Sequence, residues 1–266
     1  MHGLEGVEKR IWLIGGTQES GAIAEQLVRQ QIPCVVTVTT ESARSLYPIA
    51  SHLTVQVGYL KADHLANFLQ KYGIIAILDA SHPFAVEISQ LAIAAASTDS
   101  LPYLRFERIN EQSASNPLEQ SFSSFEDLLA SDVLSNQRAL LTIGYRSLPL
   151  FQPWQTRSVL FARILPSEIA LKTALAAGFT SDRLIALRPP ISPALEKALW
   201  QQWQVSCIVT KASGAPGGEG IKRQLAAMLG VQLITIDRPA IQYPHQTKNL
   251  DEAVEFCIAQ QLHSRL

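Results

Sequence analysis

No apolar run in this chain approaches the roughly 18 residues that a membrane span requires. The first ten residues, Met1 to Arg10, are charged and short of apolar side chains. A spanning helix, a signal peptide and an N-terminal anchor are therefore not expected. Cysteine is scarce: the chain has three, Cys34, Cys207 and Cys257, an odd number and widely spaced. Such spacing argues against a disulfide framework and against a zinc site. It predicts buried free thiols, no bound metal and a cytoplasmic setting. Lysine and arginine form no runs and are not interleaved with aromatics, so a nucleic-acid partner is not expected. Fixed-period repeats and low-complexity tracts are also missing.

What is present is a globular composition. Hydrophobic residues make up 47% of the 266 positions and charged residues 17%, enough for a full core in one large domain or two of ordinary size. The net charge of −1 hides an asymmetry: residues 1–133 carry 8 Lys+Arg against 15 Asp+Glu, while the remainder carries 14 against 8. A basic half suits a polyanionic ligand; equally, halves of opposite sign attract each other.

Strand-like apolar segments at 11–14, 33–40, 53–57, 74–79 and 103–106 alternate with helical spacing at 19–30, 62–71 and 86–96. Near-continuous apolar strands between helices predict a parallel sheet covered on both faces. The polar stretch 110–121, which contains Pro117, reads as an exposed loop. A second alternation follows, with strands at 138–143, 159–164, 184–187, 206–210 and 232–236 and helices at 195–202 and 221–229. The expected fold is α/β: two Rossmann-like parallel-sheet domains, residues 1–130 and 131–266, facing a central cleft.

Four constellations fall at strand ends, where such sheets place ligands. The first is Gly15-Gly16-Thr17, with Glu19 just inside the next helix. A strand that turns over glycine into a helix N-terminus can hold a phosphate, since bare backbone lets N–H groups approach it. The pattern is not the strict G-x-G-x-x-G, and a plain steric turn is the competing reading. The second is Thr39-Thr40-Glu41 with Arg44 close by. Hydroxyls and an arginine about 20 residues after the glycines favour a 2′-phosphate, hence NADP(H). Glu41 would instead suit a free 2′-hydroxyl, and a merely polar strand end is the bland alternative. The third is Asp79-Ala-Ser81-His82-Pro83, in which proline is placed to open a helix. There Ser81 or His82 caps that helix or faces a ligand, and His82 is able to donate a proton near neutral pH. The fourth is Lys211-Ala-Ser213-Gly214-Ala-Pro-Gly217-Gly218-Glu219-Gly-Ile-Lys222. It is a glycine-rich strand-to-helix loop with a lysine on each side, suited to an anion, though without the G-K-[ST] of a Walker loop. Arg105, Arg108, Arg146, Arg163 and Arg188 lie near strand ends, as carboxylate partners or as surface charges.

Taken together, these segments resemble the precorrin-6A reductases of cobalamin biosynthesis and their cobalt-precorrin-6A counterparts. The likeness runs over residues 11 to 240. It rests on Leu-Ile-Gly15-Gly16-Thr17-x-Glu19, Asp79-Ala-Ser81-His82-Pro83-Phe84-Ala85, Leu-Thr-Ile-Gly144, Lys211-x-Ser213-Gly214 with Lys222, and Ile-Asp-Arg238-Pro239. Ser81 stands where the family usually has threonine, Arg108-Ile109-Asn110 lacks the usual proline and tryptophan, and Arg188-Pro189-Pro190 replaces Gly-Pro-Phe. The resemblance implies hydride transfer from NADPH to one double bond of a partly built corrin macrocycle. Gly15, Gly16, Thr17, Glu19, Thr39, Thr40, Arg44, Asp79 and Ser81 are the expected cofactor-binding residues. Arg105, Gly144, Arg163, Ser213, Gly214 and Lys222 are the expected contacts to the carboxylates of the tetrapyrrole. His82, Lys211 or water would supply the proton, and a monomer or weak homodimer is expected. Two rival readings remain: an atypical short-chain dehydrogenase or epimerase, disfavoured because no tyrosine has a lysine four residues on, and a non-catalytic nucleotide-sensing module.

Overall fold

The computed structural model describes residues 8–109 and 117–264. The chain forms two compact units, one of residues 1–109 with 240–266 and one of residues 110–239.

The first unit begins with β1 (Arg10–Ile14), α1 (Gln18–Arg29), β2 (Cys34–Val38) and β3 (Leu53–Val57). It continues through α2 (Ala62–Tyr72), β4 (Ile74–Asp79), α3 (Val86–Thr98) and β5 (Tyr103–Phe106). β1, β2 and β4 are apolar and buried along almost their whole length, as strands covered on both faces must be. Gly73 ends α2 in the left-handed conformation at φ 58°, which glycine adopts without a Cβ clash.

The second unit contains β6 (Glu119–Phe122), α4 (Phe125–Ala130), β7 (Arg138–Leu141), β8 (Val159–Ile164), α5 (Glu168–Ala176) and β9 (Leu184–Ala186). α6 (Pro193–Gln202), β10 (Cys207–Lys211), α7 (Glu219–Leu229) and β11 (Gln232–Ile236) complete it. The chain then returns to the first unit as β12 (Gln246–Thr247) and α8 (Leu250–His263). The sheets run β12-β5-β4-β1-β2-β3 and β6-β11-β10-β7-β8-β9. Every pairing is parallel.

The α/β class and the two parallel sheets are as expected. The division is not: a boundary at 130/131 would cut β6 and α4 away from their unit. β6 pairs with β11 from Leu233↔Glu119 to Ile236↔Phe122. β12 pairs with β5, Thr247 opposite Phe106, and Ala253, Val254 and Cys257 of α8 join the core formed by Ile11, Leu13 and Cys34. In the stretch expected to be loop, 110–116 lie outside the described residues and 119–121 are strand. Pro83 sits in a turn; α3 starts at Val86, and its N-cap Ala85 makes no side-chain cap. The three cysteines are buried and unpaired. Among the described residues, no helix is long and apolar enough to cross a membrane and no group of three or more His, Cys, Asp or Glu could hold a metal ion.

Candidate functional site

In the first unit the strand order reverses between β1 and β4, the point at which open α/β sheets leave a crevice beyond their strand ends. The glycine turn lies there, and its two glycines serve different needs. A Cβ on Gly15 would lie 2.2 Å from the Tyr47 hydroxyl and 2.9 Å from Val36 Cγ1, so this glycine is required by packing. Gly16 has φ +100° and a Cβ there would meet nothing within 4 Å, so the space over it is open. Thr17 caps α1 in a reciprocal box with Ser20. Its hydroxyl also donates to the Ala80 carbonyl at 2.9 Å, which ties the turn to the end of β4.

The amides of the turn are already used. Gly15 N–H donates to the Thr37 carbonyl at 3.0 Å, Gly16 N–H to the Tyr47 hydroxyl at 2.7 Å, and Thr17 N–H to Ser20 Oγ at 3.1 Å. This departs from the expectation that the glycine amides face a ligand. What the turn offers an anion is open space over Gly16 beside the positive end of the α1 dipole. Glu19, acidic at that helix end, is ion-paired to Arg108 at 3.2 Å.

Nothing in the sequence marks Tyr47, which lies 31 residues beyond Gly16. Its hydroxyl holds Gly16 and sits 2.7 Å from Ser20 Oγ. Tyr47→Phe keeps the ring and loses both hydrogen bonds. It should cost about 1–2 kcal/mol, read as a fall of a few degrees in the thermal midpoint; an unchanged midpoint would show that the hydroxyl does not brace the turn.

Thr39 and Thr40 are exposed at the end of β2. Arg44 is half exposed, with Nε 2.6 Å from Glu41 and Nη1 donating to the Val55 carbonyl at 3.3 Å. The hydroxyls and the arginine thus share one surface, with Glu41 held in the pair.

The end of β4 is built otherwise than expected. Asp79 and Arg105 are 0% and 1% exposed and 2.9 Å apart. Asp79 Oδ1 accepts from Arg105 and from Ser81 N–H at 3.0 Å; Oδ2 accepts from the hydroxyls of Ser89 at 2.6 Å and Tyr103 at 2.9 Å. Arg105 also donates to Ser81 Oγ at 3.0 Å and to Glu107 at 2.9 Å. Burial, then the Asp79 charge, push the Tyr103 phenol far above its ordinary pKa, so it remains an O–H donor. Asp79 and Ser81 as cofactor contacts, and Arg105 as a carboxylate contact, are therefore corrected: all three are buried and engaged with one another, and they position the strand end. His82, next in sequence, is exposed, and its Nδ1 accepts from Phe84 N–H at 3.2 Å.

In the second unit the order reverses between β7 and β10. Gly144, at φ +80° with open space where a Cβ would be, follows β7 and opens a 3-10 segment over Tyr145–Thr156. Lys211 ends β10. Its ammonium lies 5.4 Å from the Phe125 ring centroid. Burial first, then the Arg146 charge, lower its pKa to about 8.

The glycine-rich loop closes on itself. Ser213 N–H donates to Lys211 O at 2.7 Å, Gly217 N–H to Gly214 O at 2.9 Å and Gly218 N–H to Ala215 O at 2.8 Å. Gly214 N–H donates to Glu219 Oε2 at 2.8 Å. Arg223 joins Glu219 to Glu119 of β6 at 2.7 Å each. This departs from the expectation of Ser213 and Gly214 at the tetrapyrrole carboxylates: the Gly214 N–H is engaged by a carboxylate of the chain itself, and Ser213 is buried with its N–H turned back on Lys211. Lys222, expected at a ligand, is 3% exposed and donates to the Gly217 carbonyl at 2.6 Å. Arg163 pairs with Glu196; Arg163 and Lys222 line a common pocket, and Arg188 is exposed.

The family model described as precorrin-6x reductase CbiJ/CobK matches residues 10–258, nearly the whole of both units. The chain belongs to the precorrin-6x reductase family. Within this family, the cobalt-precorrin-6A reductase of Synechocystis sp. is 50% identical over 248 residues, covering 93% of this chain and 95% of that protein. The cobalt-precorrin-6A reductase of Priestia megaterium is 30% identical over 259 residues, covering 94% and 98%. A solved structure of CobK precorrin-6A reductase matches with a TM-score of 0.76 at 23% identity, over 96% of this chain and 97% of that one, and the precorrin-6x reductases thus share this fold.

Proposed function

We propose that this chain is an NADPH-dependent reductase that saturates one double bond of a precorrin-6A-type macrocycle in cobalamin biosynthesis. The 50% identity to a cobalt-precorrin-6A reductase favours the cobalt-bearing form of the substrate. The observation that carries the cofactor assignment is the open space over Gly16 at the switch point of a parallel sheet, in a member of this family. NADPH, when bound, supplies the hydride, and the chemistry of that transfer belongs to the cofactor. The chain's part is to bind and orient. Gly16 leaves room for the cofactor's phosphates beside α1, the Glu19–Arg108 pair offsets the acidic charge at that helix end, and Arg44 with Thr39 and Thr40 meets the 2′-phosphate. In the second unit Lys211, beside Arg146, holds the proton required at the carbon next to the one reduced. The decisive assay is spectrophotometric: the purified chain should oxidise NADPH only when the macrocycle is added, and failure to do so with either the cobalt-bearing or the metal-free form would refute the reading.

Arg44 tests the cofactor preference. Its contact is half exposed, so a charge-assisted hydrogen bond there is worth the low end of its usual range. Arg44→Ala should weaken NADPH binding about tenfold and leave NADH binding unchanged. Equal losses for both cofactors, or wild-type NADH binding as tight as NADPH, would move the ribose contact to Glu41.

A further inference from the structure

α5 turns its small residues inward and its large ones outward. α1 buries Ile23 and Leu27, and α2 buries Leu65, Phe68 and Leu69. α5 instead packs on β8 and on the 3-10 segment, and the residues it buries are Ala170 and Ala174. Its bulky aliphatic side chains are left at the surface: Ile169 is 60% exposed, Leu171 46% and Leu175 48%. Single apolar residues at a surface are ordinary. Three on one nine-residue helix, with alanine on its inner side, form a patch of the kind that marks an interaction site. Glu168 and Lys172 are the only charges on the helix, and they pair with each other at 2.5 Å. The face therefore carries no net charge to select a polyanion or any other charged partner.

We infer that this face joins two copies of the chain, α5 packing antiparallel on α5 of the partner about a two-fold axis level with Ala170. The register follows from the order of the residues. At about 100° per residue, the direction opposite Ala170 runs between Glu168 and Lys172, with Ile169 on one flank and Leu171 and Leu175 on the other. A two-fold axis there exchanges positions equally far before and after 170. Glu168 then meets the partner's Lys172 and Ile169 meets the partner's Leu171, and each contact occurs twice. Apolar side chains face apolar ones, and the two ion pairs join into a ring of four charges of alternating sign. Parallel packing would set Glu168 against the partner's Glu168, and like charges side by side oppose it. Three aliphatic side chains per copy make a small interface, so the association belongs to the weak, reversible class, with Kd on the order of 10 µM or above.

Sedimentation equilibrium of the full chain over a concentration series is the test. It needs no substrate, so the interface stands or falls apart from the reductase activity. The wild type should pass reversibly from monomer to dimer as concentration rises. Leu171→Asp, at an exposed position, should leave the thermal midpoint in place and weaken dimerisation roughly 10- to 100-fold. Glu168→Lys and Lys172→Glu should each weaken it through repulsion across the axis. Mixed together, these two variants should recover the dimer as a heterodimer, because every pair across the axis is then of opposite sign. The double variant Glu168→Lys/Lys172→Glu should recover the homodimer. A wild type still monomeric at about 1 mM, a dimer untouched by Leu171→Asp, or a mixture no more associated than its components would overturn the proposal. A monomer that co-sediments with phosphatidylcholine vesicles, and loses them in Leu171→Asp, would overturn it in favour of a lipid surface.

Discussion

Arg105→Met is expected to cost the first unit about 3–5 kcal/mol and to lower its unfolding midpoint by roughly 10 °C. The Arg105 guanidinium is the only positive group bonded to Asp79 among the described residues, and both side chains are sealed from solvent. Without it, a carboxylate at 0% exposure keeps only neutral donors: Ser81 N–H and the hydroxyls of Ser89 and Tyr103. Glu107 loses its 2.9 Å ion pair with Arg105 as well. Breaking a buried pair from one side is costly because the surviving charge stays behind, whereas removing both charges together is often nearly neutral. The double variant Arg105→Met/Asp79→Leu should therefore recover much of the loss, an interaction that a double-mutant cycle measures directly. Hydrogen exchange at β4 and β5 separates unfolding of this unit from that of the other. A single-variant cost below about 1 kcal/mol, or a double variant no more stable than the single, would show that the pair does not hold the end of β4.

That network also marks where the sequence stops being legible. Asp79, Ser81 and Arg105 stand out because charged and hydroxylic residues end apolar strands, and a strand end is where ligands sit. Whether such residues face a ligand or each other depends on Ser89, Tyr103 and Glu107, which supply the remaining hydrogen bonds and carry no signal of their own. The glycine loops repeat the lesson. Composition announces both strand-to-helix turns, but Tyr47 takes the Gly16 amide and Glu219 takes that of Gly214. Only three-dimensional placement says so.

At the level of fold, the alternation of apolar strands with amphipathic helices was readable because parallel strands buried on both faces are apolar throughout. β6 reads Glu-Gln-Ser-Phe and β12 is two residues long, too polar or too short for any periodicity. Their partners, β11 and β5, are remote in sequence, so a division in chain order puts 240–266 with the second unit, whereas the segment packs in the first. α4, with six residues, falls below the length at which helical spacing can be told from chance.

Lys211→Met is expected to lower the reductase kcat by roughly 10²- to 10⁴-fold near pH 7, the range that a positioned proton donor contributes. Burial and the Arg146 charge place the Lys211 pKa at about 8. The ammonium form thus predominates at pH 7, and a proton can leave it more readily than from a solvated lysine. The sign follows from that. Activity that depends on the protonated amine is present below pH 8 and falls as pH rises through about 8, so the wild type should show an alkaline limb there and Lys211→Met should not. Lys211→Arg separates this role from simple anion holding. Arginine keeps the positive charge but does not release its proton in this range, so it should restore substrate KM and leave kcat low. If Lys211 only anchors an anion, KM rises in Lys211→Met, arginine rescues both constants, and the alkaline limb persists in every variant. A limb lost instead in His82→Gln would assign the proton to the exposed histidine that follows Ser81, and Lys211 would be left as a binding residue beside Arg146.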